Sequence, residues 1–593
     1  MSGRGDSAVP TNFINYPTPK AHDVPFKTHA APRNPVLKGL PLYYLSSVVA
    51  KVPPLQSLLW QNAGFSVLRG LKELENIEAR LDPTVIHAPG SSDEPISYTN
   101  DLELRVPPKN APGRFHTIVD FHDAYKSGRL TPYDVIEILL PLICRDVENR
   151  SPHATAFVDT NVELVTRAAE ASTRRWKKGK PLGILDGVPF AVKDEIDVKG
   201  YKRYAGTKID YTKGKDVETS WCVRKLEEEG AVLLGKLNMH ELGLDTTNNN
   251  PNWGTPLNPY NQDYYCGGSS GGSAYAVASG LIPFALGSDG GGSIRIPANY
   301  CGLYGLKPSH SRVSIAPLHQ TDPSTTVQGP LGGNMTDLEV SYHVLAQPDP
   351  SHPFSRQFAP PRPIAAPQSK KLGVYKAWFD RADPPVKDAC QAALDYFAKS
   401  GYEIVEITLP LLHEGQLAHA MTILNETLTA QPDVSQITCP NKVLLKVASQ
   451  TTARDLLLAQ RLRHLLMQHL AHIFRTHPGL IIVTPTTPNA GWPIGNGELA
   501  YGMSDGNTQV RNMEYVWLAN FTGLPCIQLP IAYVNSTQGK GKVPIGLSGN
   551  GEWASEEELI QFGYDAERYL SEGYDGGRVR PEAWIDVLGM SAG

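Results

Sequence analysis

The amino-acid sequence predicts an α/β fold, in which helices cover a central sheet. One observation is a helical pattern over residues 216–230, with an acidic start and a final glycine, which leads into the strand-like residues 231–234. Another is an apolar helical face over residues 390–397 that ends at Gly401 and precedes alternating apolar residues over 405–409. Helices and strands that alternate in this way are typical of a sheet enclosed by helices.

The elements that precede this region are two short amphipathic helices within residues 36–75. Apolar residues recur at helical spacing in both of them, at Leu45, Val48, Val49 and Val52 and again at Leu55, Leu58 and Leu59. Pro53 and Pro54 separate the two patterns, because proline has no backbone donor for a helix interior. Two interpretations stay open: the pair packs on its own protein, or it forms a membrane-facing or dimerising hairpin.

Three later elements complete the pattern. Residues 456–474 have the periodicity of a helix, and residues 480–483 form a short apolar run typical of a buried strand. The tail after about residue 555 is helical at first and then polar.

Composition and charge exclude several classes of protein. The chain has 593 residues, of which 41% are hydrophobic, so a large core is available and length alone would allow several domains. The net charge of −5 gives no basic excess, and we predict no nucleic-acid partner.

Two features predict an intracellular protein. The seven cysteines include no Cys-x-x-Cys pair, and the first 35 residues have no apolar signal core. No segment reaches the roughly 18 uninterrupted apolar residues of a membrane span. We therefore expect a cytoplasmic protein or one that is peripherally associated with internal membranes.

The strongest chemical signal is a glycine loop that ends in a serine. Gly290, Gly291 and Gly292 precede Ser293 directly, after the apolar residues 284–286, so the loop is expected at a strand end. Backbone N–H groups without a Cβ nearby can approach a developing oxyanion, with Ser293 as the nucleophile. A phosphate-binding nest or a plain turn is the alternative, although the Gly-Lys-Ser/Thr ending of a P-loop is missing.

A lysine and a second serine lie upstream of this loop. Lys193 follows the apolar residues 188–192, and burial would lower its pKa enough for a neutral amine to act as a base. Two alternatives stay open: a surface lysine at a strand end, or a lysine paired with Asp194 or Glu195. Ser269 could pass a proton between base and nucleophile, because a hydroxyl both donates and accepts.

Two other kinds of site are disfavoured by sequence context. Ser269 also fits the Gly-x-Ser-x-Gly elbow of α/β-hydrolases, but the preceding residues 258–265 are polar and turn-forming, where that elbow needs a strand. His240 and Glu241 lack the second histidine of a metalloprotease helix. We predict no metal and no cofactor.

These motifs together resemble the amidase signature family. The similarity rests on Lys193, on the glycine–serine cluster 267–273 and on residues 288–297, with further matches at 235–241, 301–308 and 484–486. The resemblance implies one large domain, residues 113–593, with a mixed, twisted central sheet enclosed by helices. Residues 36–112 would then be an N-terminal helix pair with its connection, and residues 1–35 a flexible segment.

The resemblance also implies a set of site residues. In members of the family the equivalents of Lys193, Ser269 and Ser293 are base, bridging serine and acylated nucleophile, and the bridging serine follows an unusual cis peptide bond. The family's oxyanion donors correspond to the N–H groups of Gly290, Gly291, Gly292 and Ser293. Gly243 and Ser270 are added as substrate-binding candidates.

Within the family the chain is most similar to plant-type fatty acid amide hydrolases. Residues 238–243, 246–249 and 373–379 carry this similarity, together with the helix pair. It implies an amidohydrolase that cleaves N-acylethanolamines and related lipid amides, acts as a homodimer and contacts membranes through residues 36–75. Residues 546–549 and the loop 309–328 depart from the plant pattern, which leaves the acyl and amine preference open.

Three alternatives remain at this point. The core motifs are shared with hydrolases of small aliphatic, aryl or indole amides and with the A-type component of tRNA-dependent amidotransferases. A non-catalytic binding protein that keeps the fold is disfavoured by the intact Lys193, Ser269 and Ser293.

Overall fold

The computed structural model describes residues 13–27, 34–88, 105–362, 364 and 369–590. The helices within these residues are α1 Gly39–Lys51, α2 Pro53–Asn62, α3 Ile118–Lys126, α4 Pro132–Ile143, α5 Val162–Lys177, α6 Trp221–Glu228, α7 Gly271–Ala278, α8 Arg295–Tyr300, α9 Met335–Leu345, α10 Lys376–Phe379, α11 Pro384–Lys399, α12 Leu412–Ala430, α13 Cys439–Ala448, α14 Ala453–Thr476, α15 Glu498–Tyr501, α16 Gly506–Asn512, α17 Trp517–Thr522 and α18 Glu556–Arg568.

The strands of the same residues are mostly short and buried. They are β1 Phe13–Ile14, β2 Leu37–Lys38, β3 Ile86–His87, β4 Phe157–Asp159, β5 Pro189–Lys193, β6 Val232–Leu237, β7 Phe284–Asp289, β8 Tyr304–Lys307, β9 Val327–Gly332, β10 Lys371–Val374, β11 Glu403–Glu406, β12 Leu480–Pro485, β13 Met503–Ser504, β14 Cys526–Asn535 and β15 Lys542–Asn550.

Eleven strands form one mixed sheet, in the order β11-β10-β12-β15-β14-β8-β9-β7-β5-β6-β4. β10 runs parallel to β11 and β12, and β5 runs parallel to β6 and β7. The other neighbours in this sheet are antiparallel. Helices surround the sheet, so the predicted α/β fold with a mixed central sheet is confirmed.

The register of β5 and β7 positions the catalytic candidates. Ala191 lies opposite Ala285 in this parallel pair, and both strands end at the same edge of the sheet. Lys193 is the last residue of β5, and the glycine loop follows β7 directly. Both candidates therefore emerge at the carboxyl ends of neighbouring parallel strands, which is where α/β sheets commonly place a site.

Two predicted elements differ from the structure at their boundaries. The helix expected over 216–230 is α6, which begins only at Trp221, because the preceding Ser220 N–H donates to Asp197 O and the Trp221 N–H to Ala316 O. The strand expected over 405–409 is β11, which ends at Glu406. The helices predicted over 390–397 and 456–474 are present as α11 and α14.

The predicted N-terminal helix pair is present as α1 and α2, separated at Val52. α1 is anchored through buried Leu42 and Val49, while Leu45 and Val48 of the predicted stripe are 43% and 47% exposed. α2 is tied to the rest of the fold by the Trp60 indole, which donates to Thr451 Oγ1 at 3.0 Å. The apolar stripe thus lies along the edge of the fold and is only partly covered.

Residues 13–27, which belong to the segment predicted to be flexible, contact the body of the fold. Phe13 and Ile14 pair with β3, and the Tyr16 hydroxyl donates to Glu552 at 2.5 Å. The Tyr16 ring also packs on Trp553, so aromatic contacts fix residues that sequence polarity suggested were loose. Residues 1–12 and 28–33 lie outside the described residues.

Within the described ranges, no helix combines the length and the apolar character that crossing a bilayer requires.

Candidate active site

Lys193 is buried at the end of β5 and contacts two serine hydroxyls. Its Nζ lies 2.8 Å from Ser269 Oγ and 2.6 Å from Ser288 Oγ, and its side chain is fully shielded from solvent. The alternative of a surface lysine is therefore excluded, whereas the alternative of a pairing with Glu195 is present, with Glu195 Oε1 3.6 Å from Nζ. Ser288 was not among the sequence candidates, although the parallel register that brings the end of β7 beside Lys193 explains its position.

Ser269 lies in the tight loop before α7. The peptide bond between Gly268 and Ser269 is cis, and the Ser269 carbonyl accepts from the His240 N–H at 3.0 Å. A Cβ on Gly268 would lie 2.7 Å from the backbone nitrogen of Asn248, so only glycine fits here. The segments that contain His240 and Asn248 thus pack closely on the loop and hold Ser269 beside Lys193.

Ser293 lies on the other side of this centre, at the wall of a cavity. The Ser270 N–H donates to the Ser293 carbonyl at 3.2 Å, which ties the two serine loops together. Ser293 keeps 8% of its surface exposed, whereas Ser269 is fully buried. Among the described residues no hydrogen bond joins the hydroxyls of Ser269 and Ser293, so the structure connects Lys193 to Ser269 directly and Ser293 through its backbone.

A buried ion pair organises the glycine loop. Asp289 accepts two hydrogen bonds from Arg295, at 3.0 and 2.9 Å, and both side chains are fully buried. The Asp289 carboxylate also accepts from the N–H groups of Gly292 and Ile294, at 2.7 and 3.0 Å. The loop therefore wraps around a carboxylate.

The Gly292 N–H, one of the predicted oxyanion donors, already donates to the Asp289 carboxylate and is not free to bind an oxyanion in this structure. The N–H groups of Gly290, Gly291 and Ser293 form no hydrogen bond within the described part of the chain. Three of the four predicted oxyanion donors are therefore not engaged by the described residues, and two of these three, Gly291 and Ser293, also line the cavity described below.

Two opposing effects act on the charge of Lys193. Burial lowers the pKa of Lys193, and this effect outweighs the negative charges of Glu195, Asp322 and Asp289, which favour the ammonium. Glu195 is the nearest of them, with Oε1 3.6 Å from Nζ. The site thus shifts Lys193 towards the neutral amine, which is the form that can accept a proton.

The carboxylate of Asp289 is kept ionised. Burial alone would raise the pKa of Asp289, but the charge and hydrogen bonds of Arg295 outweigh burial and lower it well below its usual range. The loop is therefore held by a permanent charge pair at neutral pH.

An apolar cavity of about 400 Å³ opens at Ser293. Four helices supply most of its wall, with Leu45, Val48 and Val49 from α1, Leu55 and Leu59 from α2, Leu417, Ala420, Ile423 and Leu424 from α12, and Val443, Leu444 and Val447 from α13. Gly291, Ser293 and Gly243 lie at its polar end. The cavity is thus an apolar chamber that ends at the candidate nucleophile.

The two added substrate-binding candidates differ in position. Gly243 borders the cavity, and a Cβ there would lie 3.6 Å from Ser269 Oγ. Ser270 is fully buried, and its hydroxyl donates to Ser288 O at 3.2 Å. Ser270 therefore braces the two strand-end loops and does not face the cavity.

Two further side chains contact the glycine loop from distant helices. His419 of α12 contacts the Gly290 carbonyl, and Asn520 of α17 contacts the Asp289 carbonyl. Neither residue belongs to a local motif, and both lie more than a hundred positions from the loop, so no pattern in the sequence pointed to them.

Comparison with known proteins places this chain in a family. Residues 139–560 match the family described as Amidase. The chain is 33% identical over 494 residues to a fatty acid amide hydrolase of Medicago truncatula, which covers 81% of this chain and 79% of that protein. It is 29% identical over 466 residues to the A-type component of a glutamyl-tRNA(Gln) amidotransferase of Clostridium botulinum, covering 71% and 91%. A crystal structure of an amidase superimposes with a TM-score of 0.64 at 26% identity, covering 76% of this chain and 98% of that one.

Proposed function

The chain belongs to the amidase family and is an amidohydrolase, and we propose that it hydrolyses long-chain fatty acid amides, N-acylethanolamines among them. The observation that carries the substrate proposal is the apolar cavity of about 400 Å³ that ends at Ser293. A cavity of this size and character suits an alkyl chain, because each buried CH₂ contributes about 0.8 kcal/mol. The likeness to a plant fatty acid amide hydrolase adds to this argument.

The proposed reaction begins with neutral Lys193. Ser293 Oγ attacks the amide carbon while its proton passes through the Ser269 hydroxyl to Lys193 Nζ. The carbonyl oxygen becomes an oxyanion that accepts from the N–H groups of Gly290, Gly291 and Ser293. The contact of 2.8 Å between Lys193 Nζ and Ser269 Oγ supports this route.

The second half of the reaction returns the proton. As the C–N bond breaks, the Lys193 ammonium donates through Ser269 to the leaving nitrogen, which departs as the amine. Water then attacks the acyl-enzyme ester while its proton passes through Ser269 to Lys193. As the bond between the acyl carbon and Ser293 Oγ breaks, Lys193 returns that proton through Ser269 to Ser293 Oγ, which releases the fatty acid and restores the Ser293 hydroxyl and the neutral amine. The mechanism requires a contact between Ser269 and Ser293 hydroxyls, and such contacts commonly tighten when substrate binds.

The exposed surface of the helix pair supports a proposal of peripheral membrane contact through residues 36–75. Leu40, Tyr44 and Leu58 are 54%, 68% and 53% exposed on α1 and α2, the helices that line the cavity. Apolar side chains on a partly exposed helix face are suited to the interface of a bilayer. A lipid amide would then enter the cavity from the membrane side. We propose that the same face also contributes to a homodimer.

Hydrolysis of a substrate panel by the purified chain tests the substrate proposal. We expect kcat/KM to rise with acyl length among N-acylethanolamines and to exceed that for short aliphatic and aryl amides. Equal or better turnover of the short amides would instead favour a small-amide hydrolase. Activity that appears only with partner proteins would favour an amidotransferase.

Vesicle sedimentation tests the membrane proposal. Leu58→Ser should reduce the bound fraction on phosphatidylcholine vesicles, whereas Val162→Ser, which is 47% exposed on the distant helix α5, should not. Equal binding by the two variants would contradict the proposed contact. Light scattering of both variants reports the oligomeric state.

A further inference from the structure

The peptide units that carry the N–H groups of Gly290 and Gly291 are both held by buried side chains. Glycine residues have no intrinsic preference for one orientation of their peptide planes, so three in succession form a loop that needs external restraint. The restraint comes from α12 and α17, two helices that are far from the loop in the sequence.

Asn520 holds the first peptide unit. Its Nδ2 donates to the Asp289 carbonyl at 2.6 Å and to the Thr325 carbonyl at 3.1 Å. Its Oδ1 accepts from Arg295 Nη2 at 2.6 Å, which fixes the orientation of the amide group. Asn520 is fully buried, so water does not compete for these hydrogen bonds.

His419 holds the second peptide unit. Its Nε2 lies 2.7 Å from the Gly290 carbonyl, and because a carbonyl only accepts, Nε2 carries the proton. Nδ1 has no hydrogen-bond partner among the described residues, which suits a neutral ring with a single proton. Burial lowers the pKa of His419 to about 4, so the ring stays neutral at ordinary pH.

The geometry of the peptide unit means that a held carbonyl also fixes the direction of the N–H group in the same unit. In a planar trans peptide unit, the C=O of one residue and the N–H of the next point in opposite directions. The cis bonds of the described residues lie elsewhere, so both units at Gly290 are trans. With the carbonyls of Asp289 and Gly290 held by Asn520 and His419, the N–H groups of Gly290 and Gly291 must point away from those side chains.

We propose that His419 and Asn520 are positioning residues that aim the Gly290 and Gly291 N–H groups at the oxyanion. The proposal rests on the amidohydrolase chemistry described above and adds the groups that hold its donors in place. Packing supports it, because a Cβ on Gly291 would lie 2.9 Å from the His419 ring and 2.8 Å from Met513 Cε. The His419 ring and Met513 therefore leave no room for a side chain at Gly291.

The test compares His419→Met with His419→Gln. Both side chains are unbranched, similar in length and equally suited to a helix, but only glutamine can donate to the Gly290 carbonyl. We expect His419→Met to lower kcat on the order of 10- to 100-fold with KM little changed, since loss of a whole oxyanion donor costs about 10²–10³. His419→Gln should recover part of that loss.

A second readout isolates the oxyanion. A trifluoromethyl ketone adduct of Ser293 places a negative oxygen in the site, whereas the matching secondary alcohol does not. His419→Met should reduce the affinity for the ketone by the same factor as kcat/KM and leave the affinity for the alcohol unchanged. If His419→Met fails to fold, as judged by circular dichroism and thermal melting, His419→Phe replaces it.

The proposal would be overturned if His419→Met kept the kcat of the wild type. It would also be overturned if His419→Gln, which can donate, lost as much kcat as His419→Met, which cannot. A failure of this proposal can be told apart from a failure of the substrate proposal. The kcat of the wild type and of the His419 variants can be compared on any amide that the wild type hydrolyses, whatever its acyl chain. If the wild type hydrolyses none, the rate of fluorophosphonate labelling at Ser293 takes the place of kcat.

Discussion

The glycine loop at Ser293 and the helix pair α1–α2 border the same cavity but are built in different ways. The loop is held by a buried ion pair, by side chains from two distant helices and by the edge of the sheet. The helix pair contributes apolar side chains that are partly exposed and makes few polar contacts with the body. Changes at the loop should therefore affect chemistry and folding together, and changes along the apolar wall should affect which substrate is used.

The largest effect is expected at Ser293, the proposed nucleophile. Ser293→Ala removes the attacking oxygen and should lower kcat by roughly 10⁶-fold, the scale seen when a serine nucleophile is deleted. Fluorophosphonate labelling should disappear as well, as measured by intact-protein mass spectrometry. Ser449→Ala, on the exposed end of α13, is the matched control and should keep full activity. Labelled Ser293→Ala protein would mean that another residue is acylated.

The next effect tests the loop as a structural unit. Asp289→Asn leaves Arg295 buried without its charge partner, and we expect the free energy of unfolding to fall by about 3–5 kcal/mol. Urea titration measures this loss. Glu163→Gln removes the exposed partner of Arg167 and should cost no more than about 0.5 kcal/mol. A similar loss of unfolding free energy in Asp289→Asn and Glu163→Gln would show that the buried ion pair does not stabilise the fold more than a surface pair.

The third prediction concerns the apolar wall. Ala420→Phe fills part of the cavity and should lower kcat/KM for long-chain amides, at about 0.8 kcal/mol for each CH₂ that no longer fits. Short amides should be turned over as before, and stability should change little. Ala430→Phe, at the exposed end of the same helix, is the control. Equal losses for long and short amides would show that the wall does not select acyl length.

The smallest effect is a shift in pH dependence. In the proposed mechanism Lys193 must be neutral to act as a base, so activity should fall on the acid side as Lys193 becomes protonated. The negative charges of Glu195 and Asp289 favour the protonated form, and neutral His240 also lies near. Asp322 favours the protonated form only where it is ionised, because burial raises the pKa of Asp322 to about 7. Glu195→Gln should therefore move the acid limb of the kcat/KM profile to lower pH. Glu170→Gln, on the surface of α5, should leave the profile unchanged, and a shift to higher pH would contradict the assignment of Lys193 as base.

The sequence predicted most of what lies in local patterns. The α/β class, the strand before the glycine loop and the helix pair followed from periodicity, and Lys193 followed from its apolar neighbours. What could not be predicted depends on register and on long-range contacts. Ser288 meets Lys193 only because β5 and β7 pair in parallel. Gly292 differs from its neighbours because Asp289 folds back onto its N–H, a contact that one-dimensional spacing does not reveal.

The helix pair precedes residues 139–560, which match the amidase family, yet it supplies part of the wall that a substrate would touch. If this cavity holds the substrate as proposed, sequence changes in α1 and α2 would alter the range of accepted molecules without touching Lys193, Ser269 or Ser293. Exchange of this segment for that of a relative would then be a way to change selectivity.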